Sequence, residues 1–408
     1  LLVILMNIRL LLAIVIISVV AILGSRIISR GSRLPFGLDH LLVSGTAYIF
    51  LGMLLGRWGL DVFDEPTLAQ LQPALLFALA WIGFLYGLQF EVRQLRSLPR
   101  FYFSITAVQA AVTFIIVTLP VYLLLDRQYP SSSSLFLLAQ AVILGSTACC
   151  SAQSTLAIAA RSRNLANRPQ LQLLRYISSV DGLFGLSFFA LAIGAMVGAA
   201  GNGSLGGAIV QWLIATLLMA GAPALILVVL SRTRLVRQEF PLFLVGAVML
   251  CAGMAHTIHH SPLISGMLCG VLVANFSRHR LRALAVVMPS EKPIYIILLL
   301  IIGAGWRPSL GFTLAVWAAY FSLRLLGKLA GVRAATLAFR PQYPVPGKLG
   351  LGLVSEGGLA IAIIVSYRLL HASVVSDALV TIIIFSVLIG ELVGSRPILN
   401  LFGEGDEK

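Results

Sequence analysis

Asp181 lies about a turn and a half into the stretch RYISSVDGLFGLSFFALAIGAMVG (Arg175–Gly198), where it is the only carboxylate in an otherwise apolar run. An ionised Asp in hydrocarbon costs several kcal/mol on most scales, so an intramembrane carboxylate marks a use for it. Arg324, Lys328, Glu356 and Glu391 are the other ionisable residues singled out in such runs. Arg324 and Lys328 are spaced i, i+4 and share one helix face. Either can snorkel toward the interface, whereas Glu391, near the end of its run, reads as exposed or ion-paired. A carboxylate flanked by hydroxyls in a water-reaching cavity can bind a proton or a small hard cation through oxygen. One such group, unable to hold both at once, suffices to exchange them. A structural Asp181 satisfied by Lys328 is the alternative.

Two polar, small-residue interruptions supply hydroxyls and loosened backbone: GSTACCSAQST (Gly145–Thr155) and GLVSEGGLA (Gly352–Ala360). Unwound backbone is tolerated at membrane depth only where protein or a cavity receives its polar groups. Close packing by small residues explains such stretches more simply, but Ser, Thr, Gln and Glu are denser here than packing requires.

The elements that must position these groups are membrane helices. The chain is 59% hydrophobic and 11% charged, with a mean hydropathy of +0.98, outside the range of soluble domains. Apolar runs predict thirteen spans, at 8–26, 39–56, 72–90, 102–125, 134–160, 173–199, 206–231, 240–258, 262–276, 292–305, 311–332, 349–369 and 374–395. The first reads as a retained span, because no small-residue cleavage site follows it. Four cysteines in apolar segments, two of them adjacent, form neither a disulfide framework nor a zinc spacing.

The net charge of +14 is a topology signal. Loops after odd-numbered spans are basic: Arg26, Arg30 and Arg33; Arg93, Arg96 and Arg100; Arg161, Arg163, Arg168 and Arg175; Arg232, Arg234 and Arg237; Arg278, Arg280, Arg282 and Lys292; Arg333, Arg340 and Lys348; Arg396 and Lys408. Loops after even-numbered spans carry only Arg57, Arg127, Arg307 and Arg368. The positive-inside rule puts the N-terminus outside and the C-terminus in the cytoplasm, with the lipid bilayer and not nucleic acid as the partner of the charge.

Thirteen spans divide into six, one and six. Residues 1–199 form a first repeat, with Asp181 in span 6, and 200–236 a linker helix. Residues 237–395 form a second, inverted repeat with Lys328 and Glu356, and 396–408 a short cytoplasmic tail. Each interruption is the fifth span of its half, and broken helices at matching positions of inverted repeats point to a secondary-transporter site near the midplane. The expected fold is therefore all-α and polytopic.

Six segments in order carry a resemblance: FLYGLQFEVRQLR (Phe84–Arg96), SVDGLFGLSFFAL (Ser179–Leu191), HHSPLISGMLCGVLVANFSRHRL (His259–Leu281), IIGAGWRPSLG (Ile301–Gly311), RLLGKLAG (Arg324–Gly331) and SEGGLAIAI (Ser355–Ile363). Together they resemble the monovalent cation:proton antiporters of the sodium/hydrogen exchanger fold. The likeness is greatest to the second branch, with bacterial sodium/proton antiporters and glutathione-gated potassium efflux systems. The resemblance implies two six-helix repeats with crossed broken helices, a homodimer in a bacterial inner membrane, and a moving core. Asp181 becomes the carrier of cation and proton, with Thr147, Ser151 and Ser154 as oxygen ligands or helix-end partners. Lys328 stabilises the crossing or pairs with Asp181, and Arg324 and Glu356 are further charge partners. No cofactor and no enzymic activity are implied.

Three departures matter. Val180-Asp181 stands where relatives have Asp-Asp or Asn-Asp, and a shifted alignment sets Asp181 and Gly182 at the two positions. One carboxylate makes one proton per cation the simpler, electroneutral stoichiometry. Glu356 stands where relatives carry Arg or Gln, so that it either pairs with Lys328 or forms a second proton site. No nucleotide- or glutathione-binding domain is expected. Na⁺ or Li⁺ exchange for H⁺ is the leading expectation, with K⁺/H⁺ exchange by the same machinery next. A channel-like or sensory relative that lost exchange is the third reading, and an organic-anion symporter is disfavoured by the motif order. His256, His259 and His260 read as a polar outer loop, with metal chelation as the alternative; they and Glu356 are both open as pH sensors.

Overall fold

The computed structural model describes residues 2–30, 45–93, 100–153, 156, 168–199, 205–230, 239–277, 279–308, 311–339 and 345–403. Among the described residues every regular element is a helix. They are α1 (Leu2–Arg30), α2 (Ala47–Leu55), α3 (Glu65–Gln70), α4 (Gln72–Gln89), α5 (Arg100–Gln128), α6 (Ser134–Cys149), α7 (Pro169–Ala199) and α8 (Leu205–Leu230). There follow α9 (Phe240–Thr257), α10 (Pro262–Phe276), α11 (Arg280–Val287), α12 (Glu291–Ala304), α13 (Phe312–Phe339), α14 (Gly358–Leu370) and α15 (Val374–Gly403). Short 3₁₀ turns fill Met288–Ser290 and Leu349–Leu353.

Each of the thirteen expected apolar segments carries a helix. Nine helices among the described residues are long and apolar enough to cross a membrane, and Ser134–Cys149, Pro262–Phe276 and Gly358–Leu370 are shorter apolar helices. Residues 39–44 of the second expected span, 154, 155 and 157–160 of the fifth, and Arg33, Arg96, Arg161, Arg163, Arg232, Arg234, Arg237, Arg278, Arg340 and Lys408 lie outside the described residues.

One expected loop is corrected. Residues 280–291 are helical, and with α12 they make one candidate span, Arg280–Ala304. Pro289 sits at the start of the 3₁₀ turn, where its missing N–H costs nothing. Arg280 is drawn inward by an ion pair with Glu91 and a 3.2 Å hydrogen bond to the Leu88 carbonyl.

Contacts divide the chain into two compact units. The first comprises Leu1–Ser97, Trp212–Arg307 and Val365–His371; the second Leu98–Gln211, Pro308–Ile364 and Ala372–Lys408. In the first unit α4 and α10 pack backbone to backbone. A Cβ at Gly83 would lie 2.0 Å from the Leu263 carbonyl oxygen, and one at Gly266 would lie 2.1 Å from that of Ala80. Between lipid-solvated helices such approach is a main source of association, since tails are as apolar as Leu. The Asn275 amide closes the end of α4, donating to the Phe90 carbonyl and accepting from the Val92 N–H, both at 2.9 Å.

Helix starts follow local chemistry. Asp64 caps α3 by accepting from the Thr67 N–H at 3.0 Å, and Pro66 follows in the first turn. Burial alone would raise the Asp64 pKa; the bonds from Thr67 and Arg9 outweigh it and hold the carboxyl below its ordinary value. Ser261 caps α10 through the Ile264 N–H at 3.3 Å. His260 stacks on Trp212, with ring centroids 5.2 Å apart. No group of three or more His, Cys, Asp or Glu among the described residues is placed to hold a metal ion.

In the second unit α13 packs along α5, and α6 lies against α5 and α7. Close approach is again set by glycine. A Cβ at Gly327 would sit 3.0 Å from Thr113 Cα, and one at Gly185 would sit 2.7 Å from the Ser146 carbonyl oxygen. Substituting Gly266 by Val is expected to lower stability by about 1–3 kcal/mol, as overpacking does. A fall in the thermal unfolding midpoint of the detergent-solubilised protein checks this, with the exposed Gly253→Ala as the control that does not lower it.

Candidate functional site

The five charges singled out in the apolar runs all belong to the second unit, and all are buried. Asp181 is 1% exposed, Arg324 1%, Lys328 0%, Glu356 0% and Glu391 2%. Snorkelling is therefore not what the two cations do, and Glu391 is not exposed.

The geometry starts from two interrupted helices. α6 stops at Cys149; Cys150 is extended, and its N–H turns back to the Thr147 carbonyl at 3.0 Å. In the later half, the 3₁₀ turn at Leu349–Leu353 gives way to a non-helical stretch before α14 starts at Gly358. The two loosened segments touch: the Ala152 N–H donates to the Ser355 carbonyl at 2.9 Å. Small residues allow this, because a Cβ at Gly357 would approach Ala152 Cα to 3.3 Å, and one at Gly394 would strike the Ser355 hydroxyl.

The C-terminal end of a helix leaves carbonyls without partners and a partial negative charge of roughly half an electron. α13 answers both ends from one face. Lys328 Nζ donates to the Cys149 carbonyl at 2.5 Å, to Ser151 Oγ at 2.9 Å and to Asp181 Oδ2 at 3.3 Å. One turn earlier, the Arg324 guanidinium donates to the Val354 carbonyl, to Cys150 at 2.8 Å, to Ser355 at 3.3 Å and to Leu353 at 3.4 Å. Gly350 sets the register, since a Cβ there would meet the Lys328 carbonyl oxygen at 2.4 Å.

Asp181 reaches this crossing from α7. Its Oδ2 accepts from Ser151 Oγ–H at 2.5 Å, and its Oδ1 accepts from the Ser151 N–H at 3.4 Å. Ser151 thus donates its hydroxyl proton to the carboxylate while accepting from Lys328. Glu356 pairs with Arg324, Oε1 to Nε 3.7 Å, and not with Lys328, because the α13 register places Arg324 beside the later segment.

Of the expected site residues, Ser151 and Lys328 touch Asp181. Thr147 does not: its hydroxyl donates to the Leu144 carbonyl at 2.7 Å and meets Tyr320 OH at 3.1 Å. Ser154 lies outside the described residues. Tyr320 is a site residue that sequence reasoning missed. It is fully buried and donates to Glu356 Oε1 at 2.5 Å. Its spacing held the signal, since 320, 324 and 328 stack on one helical face.

Comparisons with known proteins bear on the family and the fold. A family model described as "Sodium/hydrogen exchanger, transmembrane" matches residues 14–396. The solved structure of the sodium proton antiporter MjNhaP1 from Methanocaldococcus jannaschii is similar in fold, with a TM-score of 0.65 and 15% identity; the match covers 97% of this chain and 100% of that one. No curated protein sequence matches the chain.

Breaking a buried charged arrangement by removing one partner costs about 3–5 kcal/mol, because polar groups are left without bonds in a dry interior. Arg324 serves carbonyls of both loosened segments, so Arg324→Leu is expected to destabilise by an amount of that order. Arg324→Lys should recover only part, since one ammonium lacks the planar fork. Thermal unfolding midpoints of the two variants in detergent, with Arg324→Lys falling between Arg324→Leu and wild type, check both statements.

Proposed function

We propose a carrier mechanism for this chain, which belongs to the sodium/hydrogen exchanger family: a monovalent cation, Na⁺ or Li⁺ favoured, exchanges for H⁺ by competing with it for Asp181. The chain is an integral membrane transporter of cations and protons, not an enzyme. The observation that carries the reading is the Asp181–Ser151–Lys328 cluster. Asp181 is buried, yet among the described residues few groups hold it: one hydroxyl, one backbone N–H and one ammonium.

The cluster tolerates a change of charge at Asp181. When the carboxylate takes a proton, Lys328 keeps its bonds to the Cys149 carbonyl and to Ser151. When a cation binds instead, Asp181 and the Ser151 hydroxyl offer oxygen ligands, and the ammonium can give up its longest contact, 3.3 Å. Either occupant removes one negative charge, so the loaded site carries the same net charge each way. One proton per cation at Asp181 follows, which makes exchange through that carboxylate alone electroneutral. Access alternates between the two sides of the membrane once Asp181 is neutralised. The likeness in fold to MjNhaP1, a sodium proton antiporter, supports cation/proton exchange.

The N-terminus outside and C-terminus inside, the bacterial inner membrane and the homodimer belong to the same proposal, resting on the basic loops and on the family. K⁺ in place of Na⁺ would use the same carboxylate. A relative that lost exchange draws its support from the buried Lys328–Asp181 pair, which could hold Asp181 permanently ionised.

Reconstitution into liposomes with an imposed pH gradient decides among these. Collapse of the gradient on adding NaCl, LiCl or KCl, but not choline chloride, is expected in the wild type and its loss in Asp181→Asn. An Asp181→Asn variant exchanging at the normal rate would sink the mechanism, and a folded wild type inert to every cation would favour the lost-exchange reading. Ser151→Ala removes a hydrogen bond to a charged group, worth about 1.5–3 kcal/mol. The expected result is a rise in the cation KM of roughly ten- to a hundredfold, read in the same assay.

A further inference from the structure

Exchange at Asp181 makes no use of Glu356. This carboxylate is fully buried on the loosened segment, directly after Ser355, whose carbonyl accepts the Ala152 N–H. Its Oε1 accepts from Tyr320, and its Oε2 is buried with no hydrogen-bond partner among the described residues. An ionised carboxylate offers about four acceptor positions, and here a single O–H donates. Arg324 does not complete the set. Its two terminal nitrogens are committed to backbone carbonyls, and its Nε, 3.7 Å from Oε1, makes no hydrogen bond among the described residues.

Beyond Tyr320 the hydroxyls continue in a line: Tyr320 OH lies 3.1 Å from Thr147 Oγ1, which in turn lies 2.7 Å from the Leu144 carbonyl oxygen. This line has two complete proton arrangements. With Glu356 ionised, Tyr320 donates to Oε1 and Thr147 donates to Leu144. With Glu356 protonated on Oε1, that O–H donates to the Tyr320 oxygen, Tyr320 donates to Thr147 Oγ1, and Thr147 still donates to Leu144. A proton can be gained or lost at Glu356 without leaving any hydroxyl of the line unbonded. Only O–H directions change.

We propose that Glu356 is a second proton-binding site and that its occupancy weakens cation binding at Asp181. The coupling is electrostatic. A protonated Glu356 leaves Arg324 uncompensated one turn from Lys328, and added positive potential disfavours a cation nearby. Among the described residues, the titratable and charged groups against Glu356 are Arg324 and Tyr320 on α13 and Cys150 after α6; from α15 Gly390 packs on it, where a Cβ would lie 3.4 Å from the Glu356 nitrogen, and Glu391 is the next residue in the chain. Asp181 and Lys328 complete the cluster across the crossing. By linkage, cation binding then expels protons from two sites.

The proposal rests on Asp181 as the cation site, and its test keeps the two apart. An infrared pH titration of the purified full chain reads the C=O stretch of protonated carboxyl groups and needs no cation. The wild type should show a titrating band that Glu356→Gln lacks. Calorimetry of NaCl, LiCl and KCl binding, in buffers of different ionisation enthalpy, counts the protons released. More than one per cation is expected in the wild type at the acid end, against at most one in Glu356→Gln. Superimposable infrared titrations of the two proteins, or equal proton counts, would overturn the proposal. Should Glu356→Gln not fold, Tyr320→Phe retains both charges while removing the hydroxyl that Glu356 uses. A shifted band midpoint is then expected, and an unshifted one is fatal. An Asp181→Asn protein that still binds the cation would count against the carrier reading alone, because the infrared band of Glu356 is read without any cation.

Discussion

Interrupting a helix inside a membrane exposes carbonyl oxygens that neither water nor lipid can satisfy, and everything around the crossing follows from that demand. Two interruptions meet here, so the demand is doubled and concentrated. Arg324 and Lys328 answer it from a single helix face, one turn apart, and bond mainly to backbone rather than to carboxylates. Asp181 and Glu356 then balance the two cations in a dry interior. Neither cation is there simply to pair with an acid; each is an end cap whose remaining charge an acid offsets.

This ordering explains how a buried carboxylate can change its occupant without unsettling the fold. Lys328 is held by the Cys149 carbonyl and Ser151 whether or not Asp181 is charged. The backbone hydrogen bond from Ala152 to Ser355 joins the two loosened segments directly. On the proposed cycle the structural load falls on Arg324 and Lys328, and the exchange of occupants on the oxygens of Asp181. Glycines make room for both, at Gly350 against the Lys328 carbonyl and at Gly394 against the Ser355 hydroxyl.

Much of this was legible in one dimension. Charges stand out against an apolar background, so Asp181, Arg324, Lys328 and Glu356 could be singled out without coordinates, and hydropathy marked the segments that hold helices. The pairing could not be read. Whether Glu356 meets Lys328 or Arg324 depends on a shift of one turn along α13, which the contact at Gly350 sets and no spacing rule encodes. The family resemblance put Thr147 among the oxygen ligands or helix-end partners, and near the end of a helix its hydroxyl has the carbonyl of Leu144 within reach. Tyr320 was hidden by its composition, because a tyrosine in an apolar run counts as hydrophobic until its hydroxyl is given a partner. The helix at Arg280–Val287 was hidden by its arginines, which read as loop until Arg280 is seen turned toward Glu91.

The Arg324–Glu356 arrangement also constrains the order in which substitutions can accumulate. Losing Glu356 first strands a guanidinium that both helix ends still need; losing Arg324 first strands a carboxylate and leaves the carbonyls bare. A lineage moving from this arrangement to one with Arg or Gln at position 356 therefore crosses a less fit intermediate unless a change near position 324 precedes or accompanies it. The two positions are historically entangled: descendants should retain the pair or replace it as a unit, and grafting either residue alone into a related transporter should fail more often than grafting both.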